Sequence, residues 1–388
     1  MTARGRLVLA LGVLVYAVAW IFGSRALYPV AIGLLLAVPL AWAWVGLANR
    51  PLRVRRRAPE RDVLEGEDVE VEIEVEPTAP VPPPSLTCVE RLGRLGERQL
   101  VFRPNGRRLV GGYTLHGVRR GRYAIEPLRL ALEDPFGLYR VEQMRGDAQA
   151  LLVYPRLAQI QRVFAEGAAP QQDGRRLLLR RPSGFDLHSV REYEQGESLR
   201  NVHWKTTARR GRLMVKELED APRDEVAVLL DGEVAAGFDL AVRAAGSILQ
   251  AYVRRGRRCV LVVNSARREV QQVRSDAGEW RRALELLAAA EPTAPQPAAA
   301  LLSGDSAASR ALELVVVTAR PAPALVDRLV QRALSRRGAA LVYVDTQRRP
   351  EPGLLRLVVV GVPVAVVREG EELAAALAAP PVAEAARA

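Results

Sequence analysis

The residues best suited to chemistry lie between residues 191 and 216, a stretch that we call the signature segment. Its charged side chains alternate in sign at short spacing and accompany two aromatic rings. They are Arg191, Glu192, Glu197, Arg200, Lys205, Arg209 and Arg210, with the rings of Tyr193 and Trp204. Arginine side chains make paired hydrogen bonds to carboxylates and phosphates, so the pattern predicts ion pairing or anion binding.

Two interpretations of the signature segment follow from this pattern. In the first, Tyr193 and Trp204 bury their rings while the charges form a partly buried network that fastens the segment to its neighbours. In the second, the basic residues form an exposed surface that docks a partner or an anion. Opposite charges within one segment are most simply satisfied by each other, which favours the first interpretation. His203 adds a group that titrates near neutral pH.

Sequence motifs typical of enzymes are missing. The chain has no phosphate-binding loop, no G-x-S-x-G turn and no H-E-x-x-H pair. Its three histidines, His116, His188 and His203, are widely spaced, and Cys88 and Cys259 lie far apart. We therefore expect no disulfide, no metal and no cofactor, and the sequence favours a protein that is not an enzyme.

The composition points to acidic partners without naming one. The chain has 388 residues, a formal charge of +12 and a pI near 10.4. Such a balance favours anionic lipid, acidic protein or nucleic acid, although an Arg-rich and Ala-rich usage is also what a GC-rich genome produces. Only 5% of the residues are aromatic, and stacking aromatics accompany most single-strand readers, so we expect no specific nucleic acid.

A membrane hairpin is predicted at the N-terminus. Residues 7–23 and 27–48 are apolar runs, each about the ~20 residues that cross a bilayer as a helix. Basic residues flank the outer ends of the hairpin at positions 4, 6, 50, 53 and 55–57, whereas only Arg25 lies between the runs. The positive-inside rule then places both termini and everything after the hairpin in the cytoplasm, with the 50–57 cluster available to acidic headgroups.

An antiparallel β-sandwich of immunoglobulin type is predicted next. Residues 69–76 alternate valine or isoleucine with glutamate, which indicates a strand with one wet face. Further strands are expected at 99–103, 109–115, 123–132 and 150–154, and residues 159–174 read as a linker. The sequence at 134–138, Asp-Pro-Phe-Gly-Leu, predicts a tight turn whose Phe136 and Leu138 anchor it on apolar surface.

An α/β domain is predicted for the remainder. Apolar runs of strand length alternate with helical stretches, which indicates a mostly parallel sheet covered on both faces. The strands are expected at 225–231, 258–264, 312–318, 340–345 and 357–367, and the helices at 238–254, 280–290, 324–337 and 371–378.

The signature segment resembles that of a bacterial family known as domain of unknown function 58. The family pattern is written loosely as R-E-Y-x-x-G-D-x-x-R-x-I-D-W-K-x-x-A-R, and here Glu197 and His203 stand where the family usually has aspartate. A second block, at 119–123 and 134–138, also fits. The residues that match the first block, and to which the resemblance assigns partner docking or a structural role, are Arg191, Glu192, Tyr193, Gly196, Glu197, Arg200, His203, Trp204, Lys205, Ala208 and Arg209.

The order of elements in the last domain resembles a von Willebrand factor A-like fold. Metal-binding members of that fold end their first strand in D-x-S-x-S and add a threonine from a later loop. Here Asp231 and Glu233 are present, both serines are missing, and Thr318 ends the third strand. These oxygens are too few for a hard divalent ion, so the resemblance predicts a degenerate metal site at Asp231, Glu233 and Thr318.

Together these patterns predict a membrane-anchored multidomain protein of the bacterial inner membrane. Its parts are a transmembrane hairpin (1–50), a β-sandwich (51–157), a linker with the signature segment (158–224) and the von Willebrand factor A-like domain (225–380). The resemblance implies an adaptor that works with a MoxR-type AAA+ ATPase, and with a transglutaminase-like membrane protein, in assembly or maturation of envelope complexes. Two alternatives stay open: a metal-dependent enzyme with a site near Asp231, and a module that binds anionic lipid or nucleic acid.

Overall fold

The structure is a computed structural model, and it describes residues 1–48, 52–57, 62–77, 85–106, 108–160, 187–192, 204–218, 225–266, 269–274, 276–348 and 351–379. The chain divides into two compact units. The first unit is Met1–Tyr154 and the second is Pro155–Ala388.

The first unit begins with two antiparallel apolar helices, α1 (Ala3–Phe22) and α2 (Tyr28–Ala48). A single 3-10 turn joins them, after Gly23 has ended α1 in the left-handed conformation. The helices approach closely at Gly12, where an added methyl would lie 3.1 Å from Leu35 Cδ2. Both helices are long and apolar enough to cross a membrane, which confirms the predicted pair of apolar helices.

The rest of the first unit is made of short strands around one core. Among the described residues of this unit they form three sheets, of order β1-β3-β7-β6, β10-β9-β4-β5 and β2-β11-β8. Neighbouring strands pair antiparallel except β2 with β11. The strands are β1 (Leu52–Arg57), β2 (Val63–Leu64), β3 (Val69–Pro77), β4 (Ser85–Arg91), β5 (Glu97–Leu100), β6 (Arg103–Asn105), β7 (Arg108–Leu115), β8 (Gly121–Ile125), β9 (Leu128–Glu133), β10 (Arg140–Arg145) and β11 (Gln149–Tyr154).

The alternating sequence of β3 explains how this core is built. Val69, Val71, Ile73 and Val75 are buried, as the pattern predicts. The predicted wet face is wrong at Glu74, which is buried beside Arg57 and Arg108 at 3.3 and 3.6 Å. The expected strand at 123–132 is two strands, β8 and β9, because Pro127 interrupts the pairing.

The basic stretch after α2 does not face lipid throughout. Residues 52–57 form β1, whose alternation leaves Arg53 and Arg55 exposed. Arg56 turns inward and pairs with Glu90, and both side chains are buried. The expectation that the 50–57 cluster is available to acidic headgroups is therefore wrong at Arg56.

The second unit contains a hairpin of β12 (Leu187–Glu192) and β13 (Met214–Leu218), with the short helix α3 (Trp204–Arg210) before β13. A six-stranded sheet of order β16-β15-β14-β17-β18-β19 follows. Its strands are β14 (Glu225–Asp231), β15 (Arg258–Asn264), β16 (Glu269–Val273), β17 (Glu313–Thr318), β18 (Gly338–Val344) and β19 (Val364–Val367). All of them are parallel except β16 at one edge.

Helices cover both faces of this sheet. They are α4 (Phe238–Arg254), α5 (Ala277–Ala289), α6 (Ala298–Leu301), α7 (Ala307–Arg310), α8 (Pro323–Leu334), α9 (Pro352–Val359) and α10 (Leu373–Ala378). Helices α4, α5 and α10 share a core with one face, and α6 to α9 share a core with the other. The expected strand at 357–367 is only β19, because α9 continues to Val359 and Gly361 then turns the chain at positive φ.

Candidate functional site

The candidate site lies at the carboxyl edge of the six-stranded sheet. Strand β14 is central, with β15 on one side and β17 on the other. The chain runs outward from β14 to β15 and later returns to the opposite side, so the order of strands reverses at β14 and β17. Ligands of open α/β sheets bind at such a point. Asp231 ends β14 and Thr318 ends β17.

Asp231 is buried, and the chain itself supplies hydrogen-bond donors to both of its carboxylate oxygens. The Thr318 hydroxyl donates to Oδ2 at 2.8 Å. The Asn264 amide and the Glu233 backbone N–H donate to Oδ1 at 3.1 and 3.2 Å. We call Asp231, Glu233, Asn264 and Thr318 the sheet-edge cluster.

The electrostatics of the cluster follow from this burial. Loss of solvent raises the pKa of the Asp231 carboxyl above its ordinary value of 3.8. The hydrogen bond from Thr318 opposes that shift, while the nearby charge of Glu233 adds to it. The net direction is upward, so the fold makes the anion of Asp231 harder to form than in water.

Glu233 does not direct its Oε1 toward Asp231, where it could serve as a second oxygen ligand of a metal ion. Its Oε1 accepts the backbone N–H of Ala298 at 2.6 Å, at the start of α6. The degenerate metal-site residues named from sequence are thus brought to one edge, with Thr318 directly bonded to Asp231 and Glu233 engaged elsewhere. Within the described ranges, no three histidine, cysteine, aspartate or glutamate side chains lie close enough to hold a metal ion.

Asn264 is the member of the cluster that the sequence interpretation missed. It ends β15, directly beside Asp231 in the parallel register. Its amide also donates to the Gln296 carbonyl at 3.0 Å, while its Oδ1 is buried and accepts no hydrogen bond in the part of the chain that is described. The signal for Asn264 in the sequence is a polar residue at the end of a run of apolar residues.

A second carboxylate, Asp345, follows β18 at the same edge and was also missed as a site residue. Its Oδ1 accepts the backbone N–H groups of Gln347 and Arg348 at 3.2 and 2.7 Å, and its Oδ2 accepts Arg368 Nε at 3.0 Å. Burial raises the pKa of this carboxyl, but the hydrogen bonds, that from Arg368 above all, lower it further, so the net pKa is below the ordinary value. The edge therefore holds one carboxyl whose anion is disfavoured and one whose anion is favoured.

The structure describes only part of the signature segment. Arg191 and Glu192 end β12, where the backbone alone is described, whereas Tyr193, Gly196, Glu197, Arg200 and His203 lie outside the described residues. Trp204, Lys205, Ala208 and Arg209 are on α3. The Trp204 side chain is 66% exposed, and Lys205 and Arg209 are exposed too. The expectation that Trp204 buries its ring is therefore wrong.

Comparison with known proteins matches the region that contains the sheet-edge cluster and the signature segment. The model of a family described as "Protein of unknown function DUF58" matches residues 189–345. This region of the chain, residues 189–345, matches the DUF58 family. It is also 26% identical over 217 residues to the "Uncharacterized protein YeaD" of Bacillus subtilis (strain 168), an alignment that covers 54% of this chain and 53% of the relative. The chain thus aligns with about half the length of this curated relative.

The DUF58 match covers the candidate site described above. It begins inside β12, at Ser189, and ends at Asp345. It therefore includes α3 with its exposed Trp204, the complete sheet-edge cluster and the second carboxylate. The transmembrane-length helices and the three small sheets precede it.

Proposed function

We propose that this protein is a membrane-anchored adaptor that presents its second unit to a partner protein on the cytoplasmic face of the bacterial inner membrane. The pair of apolar helices supports the anchor, and the basic residues at its outer ends support the orientation. The mostly parallel sheet covered on both faces supports a von Willebrand factor A-like fold for the second unit. The strands around a single core in the first unit support a variant of the immunoglobulin-like sandwich.

The observation that carries the adaptor role is the exposed face of α3. Tryptophan is largely buried in most folded proteins, yet the Trp204 ring is 66% exposed on a helix that also exposes Lys205, Arg209 and Arg210. Tryptophan and arginine are the residues most enriched at the energetic centres of protein interfaces. A matching partner surface would offer an apolar pocket surrounded by acidic side chains.

The sheet-edge cluster supports a role without catalysis. A general base or metal ligand needs a lone pair directed at substrate or ion. The Oδ1 of Asp231 accepts two hydrogen bonds from the chain, its Oδ2 accepts one from Thr318, and Glu233 Oε1 accepts one from Ala298. In this proposal the cluster ties together the ends of β14, β15 and β17 so that the surrounding loops keep one shape for the partner.

Family resemblance supplies the proposed partners. They are a MoxR-type AAA+ ATPase and, within the same assembly, a transglutaminase-like membrane protein, acting on envelope complexes. The basic face around Trp204 is compatible with an acidic docking surface on either of them.

Site-specific crosslinking tests the adaptor role. The full chain would carry a photo-reactive benzoylphenylalanine in place of Trp204 and be crosslinked in native membranes before purification. The matched control carries the same group in place of Leu334, which is 70% exposed at the end of α8 in the same unit. We expect one protein to be captured from position 204 and not from 334, and that protein to contain an AAA+ domain.

Affinity then measures the contribution of the ring. Trp204→Ala should weaken the equilibrium affinity of the full chain for the captured protein at least about 30-fold, as expected for an interface residue worth ~2 kcal/mol, while Leu334→Ala leaves that affinity unchanged. Equal capture from positions 204 and 334 would contradict the proposal. Specific capture of a protein without an AAA+ domain would keep the adaptor role and replace the partner.

One observation favours the metal-dependent enzyme as a second candidate. The buried Asn264 Oδ1, beside Asp231, accepts no hydrogen bond from the described part of the chain, and such an oxygen suits a water or a cation. Calorimetric titration of the purified chain with Mg²⁺ and Mn²⁺ tests this candidate. Stoichiometric binding that Asp231→Ala abolishes would support it over the adaptor without catalysis.

A further inference from the structure

The turn at residues 134–138 holds a phenylalanine away from the protein core. Asp134 is buried and shapes the turn from within: its Oδ2 accepts the N–H of Phe136 at 3.0 Å and its Oδ1 accepts the N–H of Tyr139 at 2.6 Å. Gly137 completes the turn at φ +68°. Leu138 is buried as its sequence predicts, but the Phe136 side chain is 77% exposed, so the expected apolar anchoring by Phe136 is wrong.

This turn is fastened to the beginning of α1. The N–H of Thr2 donates to the Leu138 carbonyl at 3.1 Å, and the Thr2 hydroxyl donates to the Gly137 carbonyl at 2.6 Å. The same hydroxyl oxygen accepts the N–H of Gly5 at 3.0 Å and so caps the helix. One threonine therefore fixes the first turn of α1 and the phenylalanine-bearing turn to each other.

Gly5 makes this close approach possible. An added methyl there would overlap the Leu138 carbonyl oxygen, so only glycine lets the helix backbone lie against the turn. Helix and turn are in direct backbone contact, without intervening side chains.

The contact places the turn that carries Phe136 within about one helical turn of the residue where α1 becomes apolar. The unbroken apolar run starts at Leu7, two residues beyond Gly5, and two residues advance a helix by about 3 Å. Arg4 and Arg6, on the same first turns, are exposed. An exposed aromatic ring next to basic residues at the end of an apolar helix is the pattern of the boundary between headgroups and acyl chains.

We propose that Phe136 is a membrane-interface residue whose ring enters the headgroup–acyl boundary of the inner leaflet beside α1, while Arg4 and Arg6 contact lipid phosphates. The inference rests on the proposed membrane span of α1 and α2. Lipid is the occupant because the turn is bonded to the span itself, at the residues where the span begins. The ring would then give the first unit a third attachment to the bilayer, besides its two helices.

Depth measurement by spin labelling tests this assignment on the full chain in lipid nanodiscs that contain anionic lipid. Nitroxides are attached to Phe136→Cys, Leu14→Cys and Val101→Cys in separate samples. Leu14 is exposed in the middle of α1, and Val101 is 80% exposed in the first unit. The native Cys88 and Cys259 are buried, and burial raises the pKa of each thiol to about 12, so they stay unlabelled near neutral pH.

Collision with oxygen and with a water-soluble nickel chelate reports the depth of each label. We expect the label at 136 to be at least about fivefold less accessible to nickel than the label at 101, and the label at 14 to be the most protected. If position 136 equals 101 while 14 is protected, the interface assignment is wrong and the anchor stands. If position 14 is also accessible to nickel, the membrane span fails, and the interface assignment falls with it.

A second measurement keeps an aromatic ring at the position. Phe136→Trp in nanodiscs of lipid brominated near the headgroups should lose fluorescence beyond the loss seen in the parent chain, whose five tryptophans set the background. If the variant is quenched no more than the parent chain, the assignment is wrong. If lipid brominated near the headgroups quenches the added tryptophan more than deeply brominated lipid does, the ring lies at the headgroup–acyl boundary.

Discussion

At the scale of single residues, two buried charged side chains, Asp231 and Arg56, have polar partners from the chain itself. Asp231 is surrounded by a hydroxyl, an amide and a backbone N–H. In the first unit, Arg56 pairs with Glu90 and also donates to the Glu126 carbonyl at 3.1 Å. A buried charge that loses such a partner is strongly penalised, which makes these contacts measurable.

Thr318→Val should destabilise the second unit. The substitution keeps the shape of the side chain but removes the donor to Asp231 Oδ2, so a buried carboxylate oxygen loses its partner. We expect a loss of about 1–3 kcal/mol in the free energy of unfolding, measured by urea titration. Thr346→Val, an exposed threonine at the same sheet edge, is the control and should change little. Equal stabilities of the two variants would contradict the role given to Thr318.

Asp231 should make stability fall as pH rises. Its folded pKa lies above the ordinary value, so the folded state binds its proton more tightly than the unfolded state. Its contribution is therefore complete below the unfolded pKa and is lost as pH rises through the folded pKa. The difference in unfolding free energy between the parent chain and Asp231→Asn should decrease as the pH rises above the ordinary pKa of 3.8. An increase would mean that the fold favours the anion.

Glu90→Ala should be among the most damaging substitutions in the first unit. It leaves the guanidinium of Arg56 buried without its counter-charge, at a cost of about 3–5 kcal/mol. Glu97→Ala is the matched control, because the Arg91–Glu97 pair is half exposed and such pairs contribute about 0–1 kcal/mol. Thermal unfolding of both variants in detergent gives the comparison. Similar losses would show that the buried pair is no stronger than a surface one.

Some of these residues could be predicted from the sequence and others could not. Asp231 and Thr318 could be predicted to meet because both end parallel strands of one sheet. Asn264 could have been found in the same way, from its place after an apolar run. The exposure of Phe136 and Trp204 could not be predicted. The hydropathy of an aromatic ring predicts that it avoids water, but it does not distinguish a ring buried in the protein's own core from one that another molecule covers.

At the scale of elements, the contact between α1 and the turn depends on Gly5. In an exposed helix, replacing glycine by alanine stabilises by up to about 1 kcal/mol. Gly5→Ala should instead destabilise the first unit by about 1–3 kcal/mol, because the new methyl overlaps the Leu138 carbonyl. Gly33→Ala in α2, with open space around it, is the control. The measurement is thermal unfolding in detergent. If both variants unfold at the same temperature as the parent chain, the close contact between Gly5 and the turn is contradicted.

The elements that were predicted well carry strong periodic signals. Strands β14 and β15 and helix α4 have the bounds expected from sequence, because buried parallel strands and a two-faced helix are unmistakable in residue pattern. Strand β10 was missed because its residues, Arg-Val-Glu-Gln-Met-Arg, are mostly polar. It forms by pairing with β9, a contact that local composition does not encode.

At the scale of the whole molecule, the orientation of the anchor can be tested directly. If both ends of the hairpin are cytoplasmic, a membrane-impermeant maleimide should label Ala26→Cys in spheroplasts, since this residue lies between the helices. Val101→Cys should react only after lysis, and the buried native cysteines should stay silent. Labelling of position 101 in intact spheroplasts would reverse the proposed sidedness.

The last turn of α2 has a consequence for how the protein is made. Val45 is fully buried and belongs to the same core as β3 and β9 of the first unit. That core is complete only when the second helix has been delivered to its final position. If α1 and α2 are inserted into a membrane as proposed, insertion of α2 and folding of the β-rich part are coupled steps. A fragment that begins at β1 would lack Val45 and would leave the space that its side chain fills open to proteases.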